Sequence, residues 1–372
     1  MKAMRRTKIL STLTAMLFAT ACVAVSCDQT GSTPTPEPEP EIQETVFAEG
    51  ADISWVTEME DDGIRFLDAD GKETDCFQIM KSLGMNALRF RVWVDPDKTY
   101  GPYSNLADVV AKAERAKDAG LDIMIDFHYS DFFADPSRQT KPLAWKDKSM
   151  ADLKQAVYSH TEDVLEALKN KGITPKWVQI GNETRNGMLW PSGQLWTDKG
   201  DIADGWSNYA ALSNAGYDAA KSVFEDIIVI VHLNNAWEDN DWWFSKFQGA
   251  GGKFDMIGLS HYPQSENGQT WQTINQKALS NIRTLSAKYG KDVMVCEIGV
   301  KVKADEDLAA QVLDEFMKEA MQIEDCAGIF YWEPQVNGTW KPEYYNKLGW
   351  HAYDLGAFTS DNKPSKVLNK FR

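Results

Sequence analysis

From Phe47 onward the chain alternates short β-branched or apolar runs with longer amphipathic stretches. Eight runs read as strands: 51–55, 87–93, 122–128, 177–183, 227–233, 255–260, 293–297 and 328–332. Helical periodicity fills the gaps, most clearly over 106–119, 150–171, 209–224, 273–289 and 308–321. Regular strand–helix alternation implies a parallel sheet with helices packed on it. Eight such units favour closure into a single (β/α)8 TIM barrel, of α/β class, spanning 47–372. No Gly-rich phosphate loop follows the first strand, which argues against a nucleotide-binding fold.

The period-two pattern inside the strands separates a helix-facing side from an interior side. In the second strand Leu88, Phe90 and Val92 oppose Arg89, Arg91 and Trp93. In the third, Ile123, Ile125 and Phe127 oppose Met124, Asp126 and His128. In the fourth, Val178 and Ile180 oppose Gln179, Gly181 and Glu183. In the seventh, Met294 and Cys296 are expected to face the helices, with Val293, Val295 and Glu297 inside. The interior side turns polar toward the strands' C-terminal ends, where barrels of this kind build their sites.

Two glutamates stand at such ends, Glu183 directly after Asn182 and Glu297 on the seventh run. One carboxyl that donates a proton and another that attacks an anomeric carbon suffice for glycoside hydrolysis with retention, if they lie about 5–5.5 Å apart. Arg89 or Arg91, on the inward face of the second strand, would keep Glu297 ionised, leaving Glu183 to hold its proton longer. The competing reading makes the two residues salt-bridged rim glutamates.

Composition narrows the partners. A formal charge of −16 repels polyanions and excludes nucleic acid as a natural ligand. Fourteen tryptophans suit either sugar stacking or a large core. Cys76, Cys296 and Cys326 are widely spaced, match no disulfide framework or zinc pattern, and read as buried free thiols. Lys2, Arg5, Arg6 and Lys8 precede an apolar stretch running to Val25, so residues 1–27 read as an export signal of the lipoprotein type. Cys27 is the expected lipidation site and Cys22 its rival; an uncleaved anchor helix is the alternative. Pro34, Pro36, Pro38 and Pro40 interleaved with Glu make 28–46 an extended, disordered linker. The expected location is a lipid-anchored position at the outer membrane or cell surface of a Gram-negative-type bacterium, on either face, as a monomer.

Five ordered segments carry a more specific resemblance. They are Gly50-Ala51-Asp52-Ile53-Ser54; Leu88 through Pro96; the loop from His128 through Ser130-Asp131 to Ala134-Asp135-Pro136; Ile180-Gly181-Asn182-Glu183 with Gly187 and Leu189-Trp190-Pro191; and Tyr331-Trp332-Glu333-Pro334. Together they resemble the arabinogalactan endo-β-1,4-galactanases, glycoside hydrolase family 53 of clan A. The resemblance implies Glu183 as acid/base, Glu297 as nucleophile, and Asn182 on the sugar 2-hydroxyl. It further implies that Arg89 and Tyr262 orient Glu297, that His128 and Asp131 line the cleft, and that Trp332 forms its floor. The substrate would be β-1,4-galactan or type I arabinogalactan, with no cofactor.

Other positions stay open. Trp93 and Trp145 either stack on sugar or pack in the rim, and Asp52 either binds a hydroxyl or braces the mouth. His232 and Asn234, after the fifth strand, are further substrate-binding candidates. His160 with Asp163 reads as a solvated surface pair, His261 as structural and outward, and Trp242-Trp243 as helix packing. Some family members carry calcium in a loop after strand seven; here Gly299-Val300-Lys301-Val302-Lys303-Ala304 brings two lysines and no oxygen ligand before Asp305, so no metal is expected. The rival functions are another clan A glycanase, acting on mannan, xylan or β-glucan, and a noncatalytic glycan-binding lipoprotein.

Overall fold

The computed structural model describes residues 46–96, 99–265 and 268–371. The signal segment, Cys22, Cys27 and all of the linker but Val46 lie outside the described residues. The folded unit is one closed barrel of eight parallel strands: β1 (Ala48–Asp52), β2 (Ala87–Val92), β3 (Asp122–Phe127), β4 (Trp177–Ile180), β5 (Ile228–Leu233), β6 (Met256–His261), β7 (Val293–Ile298) and β8 (Cys326–Trp332). β8 closes onto β1, pairing Gly328 with Ala48 through to Trp332 with Asp52. All eight expected strands are present, and the TIM-barrel expectation is met.

The helices are α1 (Val56–Asp61), α2 (Cys76–Ser82), α3 (Leu106–Ala119), α4 (Met150–Asn170), α5 (Gly205–Val223), α6 (Asp241–Gly249), α7 (Trp271–Tyr289), α8 (Glu306–Ala320) and α9 (Glu343–Leu348). Local chemistry fixes their starts. Asn105, Ser149, Thr270 and Asp305 each accept the backbone N–H three residues on, a cap worth about 1 kcal/mol apiece. Gly120 and Gly290 stop α3 and α7 in the left-handed conformation that glycine adopts without strain.

Two apolar layers sandwich the barrel wall. Outside it, residues such as Leu88, Phe90, Ile125, Phe127, Val178 and Val231 pack beneath the helices. Inside, Ala48, Met124, Trp177, Met256, Met294 and Phe330 plug the lower half. Above this plug the interior turns polar, with buried Asp52, Arg89, Asp126, Gln179, His232, Ser260 and Glu297. The plug excludes water from beneath, so the polar layer meets solvent only at the C-terminal mouth.

Three details correct the sequence reading. β1 runs three residues earlier than expected, because the Asp52 carboxylate accepts both the N–H and the hydroxyl of Ser54 and turns the chain out of the strand. β4 ends at Ile180 rather than Glu183; Gly181 takes φ +82 and Glu183 φ +46, so the glutamate sits on a bend past the strand. A Cβ on Gly181 would lie 2.5 Å from Thr184 Cγ2, so glycine is required there on both counts. In β7 the faces are reversed: Met294 and Cys296 point inward and Val293 and Val295 outward. A bulge skips Cys296 in the β6 pairing, where Leu259 faces Val295 and Ser260 faces Glu297. That extra residue turns Glu297 inward as well.

Candidate active site

The polar layer is organised around one arginine. Arg89, 1% exposed, donates from Nη1 to Asp52 Oδ2 at 2.7 Å and from Nη2 to Asp126 Oδ2 at 2.8 Å. Its Nη2 also lies 3.0 Å from Glu297 Oε1. Burial works against its charge, yet Asp126, Glu297 and Asp52 outweigh burial and hold the guanidinium protonated. Gln179 and Asn182 complete the ring, accepting from Arg89 at 3.1 and 2.9 Å. Burial likewise works to raise Asp126, but Arg89 and His128 overcome it and keep that carboxyl below its ordinary value.

Glu297 is held at both oxygens, by Arg89 at Oε1 and by the Tyr262 hydroxyl, which donates to Oε2 at 2.8 Å. Burial raises its carboxyl, while Arg89 and Tyr262 oppose the rise. Among the described residues, Glu183 has no such cation in contact. Burial first, and the Glu297 charge second, push it up to about 8. The two carboxyls line one cavity of about 220 Å³ at the mouth, in environments that separate their proton affinities. Arg91, the other candidate partner for Glu297, is committed elsewhere: it meets Glu333 at 2.5 Å and lies between the rings of Trp55, Trp93 and Phe133.

Of the residues expected at the site, His128, Asn182, Glu183, Tyr262, Glu297 and Trp332 line this cavity. His128 Nδ1 accepts from the Ala134 N–H at 2.9 Å, so its Nε2 carries the proton toward Asp126. Asn182 donates to the Ala134 carbonyl at 2.8 Å and keeps its second amide hydrogen. Asp52 and His232 lie beneath the cavity and brace it. His232 joins Asn182 Oδ1 at 3.1 Å to Ser260 Oγ at 2.9 Å, and burial keeps its imidazole neutral.

The remaining candidates fall outside the cavity. Trp93 is buried against Phe132, Phe133 and Tyr100, because Arg91 draws the aromatic cluster inward. Trp145 is buried beside His160, at 6.0 Å between rings. Asp131 ties loops together, accepting the N–H of Asp95 and of Leu143. Asn234 is half-buried and does not border the cavity.

His160 is not a solvated partner of Asp163. Its ring packs edge-on to Phe127 and Trp145, and burial lowers its pKa to about 4. Trp243 is core, as expected of helix packing, whereas Trp242 is 36% exposed. His261 faces outward as expected, bonded to Asn275 of α7. Cys76, Cys296 and Cys326 are free and buried. Among the described residues no cluster of three or more His, Cys, Asp or Glu is placed to hold a metal.

Phe133, Ala134 and Asp135, inside the His128–Pro136 segment but given no site role there, also border the cavity, as do Tyr345 and Trp350, which the sequence did not single out. Asp126 and Gln179, the arginine's partners, were legible as inward positions on β3 and β4. Tyr345 and Trp350 come from the long segment after β8, where no periodicity points to the mouth.

Comparison with known proteins shows the family. Residues 48–371 match the family described as glycosyl hydrolase family 53. A probable arabinogalactan endo-β-1,4-galactanase A of Neosartorya fischeri is 33% identical over 77% of this chain and 83% of its own length. An arabinogalactan endo-β-1,4-galactanase of Cellvibrio japonicus is 33% identical over 78% and 81%. A solved fungal β-1,4-galactanase superposes with a TM-score of 0.74 at 28% identity, covering 87% of this chain and 98% of that one.

Proposed function

The chain belongs to glycosyl hydrolase family 53 and is a glycoside hydrolase, and on that premise we propose that it cleaves β-1,4-galactosidic bonds within galactan, with retention, through a covalent glycosyl-enzyme. The observation that carries the reading is the pairing of two carboxyls in one small cavity, one fixed by Arg89 and Tyr262, the other raised to about 8.

Glu297 attacks the anomeric carbon from the oxygen positions held by its two donors. Glu183 protonates the departing oxygen and then, as its carboxylate, activates the water that releases the sugar. Asn182 offers its spare amide hydrogen to the 2-hydroxyl, and Trp332 supplies an apolar face beneath the ring. Arg89 and Tyr262 act through Glu297 as positioning residues. The relatives named galactanases support galactan as substrate.

Incubation with β-1,4-galactan, β-mannan, xylan and β-glucan tests this. Galactose oligomers from galactan alone, released first as the β-anomer by NMR, are expected. Release from another polymer only, or α-anomer first, overturns the reading.

We also propose that the protein is exported and works as a monomer tethered through lipidated Cys27. Cells fed radiolabelled palmitate should label the chain, and Cys27→Ser should abolish the label while Cys22→Ser preserves it. The reverse pattern moves the anchor to Cys22.

A further inference from the structure

Beside the catalytic cavity opens a larger one of about 640 Å³. The two share an aromatic wall. Phe132 and Phe133 stand edge to face at 5.0 Å, Phe133 bordering the catalytic cavity and Phe132 the larger one. Trp350, on the catalytic side, lies 5.8 Å from Phe132. Arg138 spans the boundary, its guanidinium 5.5 Å from the Phe132 ring and 5.3 Å from Trp350. A chain leaving the catalytic cavity past Trp350 would enter this space.

Its lining combines aromatic and exposed apolar side chains with three cations. Tyr100 stacks on Phe132 at 4.3 Å. Leu143, 70% exposed, and Leu348, 41% exposed, stand on the rim. Exposed apolar groups clustered at one opening mark a binding surface. Although the chain carries a net −16, Arg138, Lys141 and Lys146 converge here. Arg138 and Lys141 form no ion pair with any described residue, and Lys146 reaches Asp147 only at 3.9 Å. Two acids share the lining. Asp131 accepts the backbone N–H groups of Asp95 and Leu143, and Asp95, exposed, shares the same lining.

A neutral galactan offers these cations only hydroxyl acceptors, whereas a charged acceptor pairs with them more strongly. A carboxylate is such an acceptor, and an arginine braced over two rings presents its fork with little further loss of freedom. We propose that this cavity continues the substrate cleft and receives a carboxylate-bearing sugar, so that the preferred substrate is a galactan carrying uronate. The pyranose C–H face would lie on Phe132 and Tyr100, with its carboxylate toward Arg138 and Lys141. The proposal rests on the glycanase reading of the adjoining cavity.

Calorimetric titration tests it, using the full chain carrying Glu297→Gln so that no turnover intervenes. The probes are short β-1,4-galactan fragments and the same fragments oxidised to uronate at a small fraction of their C6 hydroxyls. The oxidised fragments are expected to bind about tenfold more tightly at low salt, with the preference fading in salt as charge pairing requires. Adding Lys141→Gln should reduce the preference, and adding Arg138→Gln as well should abolish it. Equal affinity for both probes, or a preference that survives both substitutions, overturns the proposal. Failure of the galactanase reading shows separately, as wild-type protein that does not cleave the unoxidised fragments.

Discussion

Glu297→Ala is expected to reduce turnover of β-1,4-galactan on the order of 10⁶-fold, the scale reached when a covalent nucleophile is removed. Glu183→Ala should lower it by about 10²–10⁴-fold, the range of general acid–base assistance. The difference follows from the two environments. No other described carboxylate at the cavity is held, as Glu297 is, by a cation and a phenol together. The acid role can be bypassed: on an aryl galactoside with a good leaving group, Glu183→Ala should regain rate when azide replaces water, yielding a β-galactosyl azide.

The pH profile carries the same assignment. A carboxyl raised to about 8 keeps its proton at neutral pH and loses it as pH climbs, so kcat/KM should fall above about pH 8 as the acid form of Glu183 disappears. Glu297 must be ionised, and its carboxyl is itself raised by burial, so the acid limb should lie above the ordinary glutamate range. With the activated substrate, Glu183→Ala should lose the basic limb and keep the acid one. A basic limb that persists in that variant would assign it to another group.

Arg89→Met is expected to be the most destabilising single change in the barrel, by about 3–5 kcal/mol, because it strands buried carboxylates without their cation. Asp52, Asp126 and Glu297 all direct an oxygen at this guanidinium within 3.0 Å. Without it, burial would push Asp126 and Glu297 toward their protonated forms. The unfolded chain then releases protons that the folded chain retains, and stability falls as pH rises. The loss, read from the urea midpoint, should therefore be larger at pH 8 than at pH 5. Arg89→Lys retains one charge but not the fork that reaches three partners, and should recover only part of the loss. A destabilisation below about 1 kcal/mol would mean that the hub contributes little beyond its packing.

The barrel was readable because strands buried on both faces give continuous apolar runs, and because inward polar residues concentrate at one end of those runs. Arg89 and His128 were found on that logic, whereas Glu183 and Glu297 reach the mouth through the bend after β4 and the bulge in β7 rather than through strand parity. β1 was misplaced because its residues, Ala48 to Asp52, include small ones that fit the narrow interior and carry little strand signal. β7 reads as apolar on both faces, so its pattern does not assign Val293 to Cys296 to a side, and the bulge at Cys296 then turns Glu297 inward as well. His160 was misjudged because a histidine three residues before an aspartate on a helix resembles a surface pair, whereas tertiary packing places its ring among Phe127, Tyr129 and Trp145. Trp93 follows the inward parity but serves the Arg91 cluster, and Tyr345 and Trp350 reach the cavity through a fold-back that no local pattern announces.

The pairing of one attacking and one proton-donating carboxyl across a single sugar-sized opening can be tested by trapping. Incubation with an activated 2-deoxy-2-fluoro-β-galactoside slows release of the intermediate and leaves the sugar bound to whichever residue attacked. Peptide mass spectrometry should then find one fluorosugar on the peptide containing Glu297, and none in Glu297→Ala. A label on Glu183 or another side chain, or an enzyme that turns over galactan yet never becomes labelled while releasing the inverted anomer, would contradict the account.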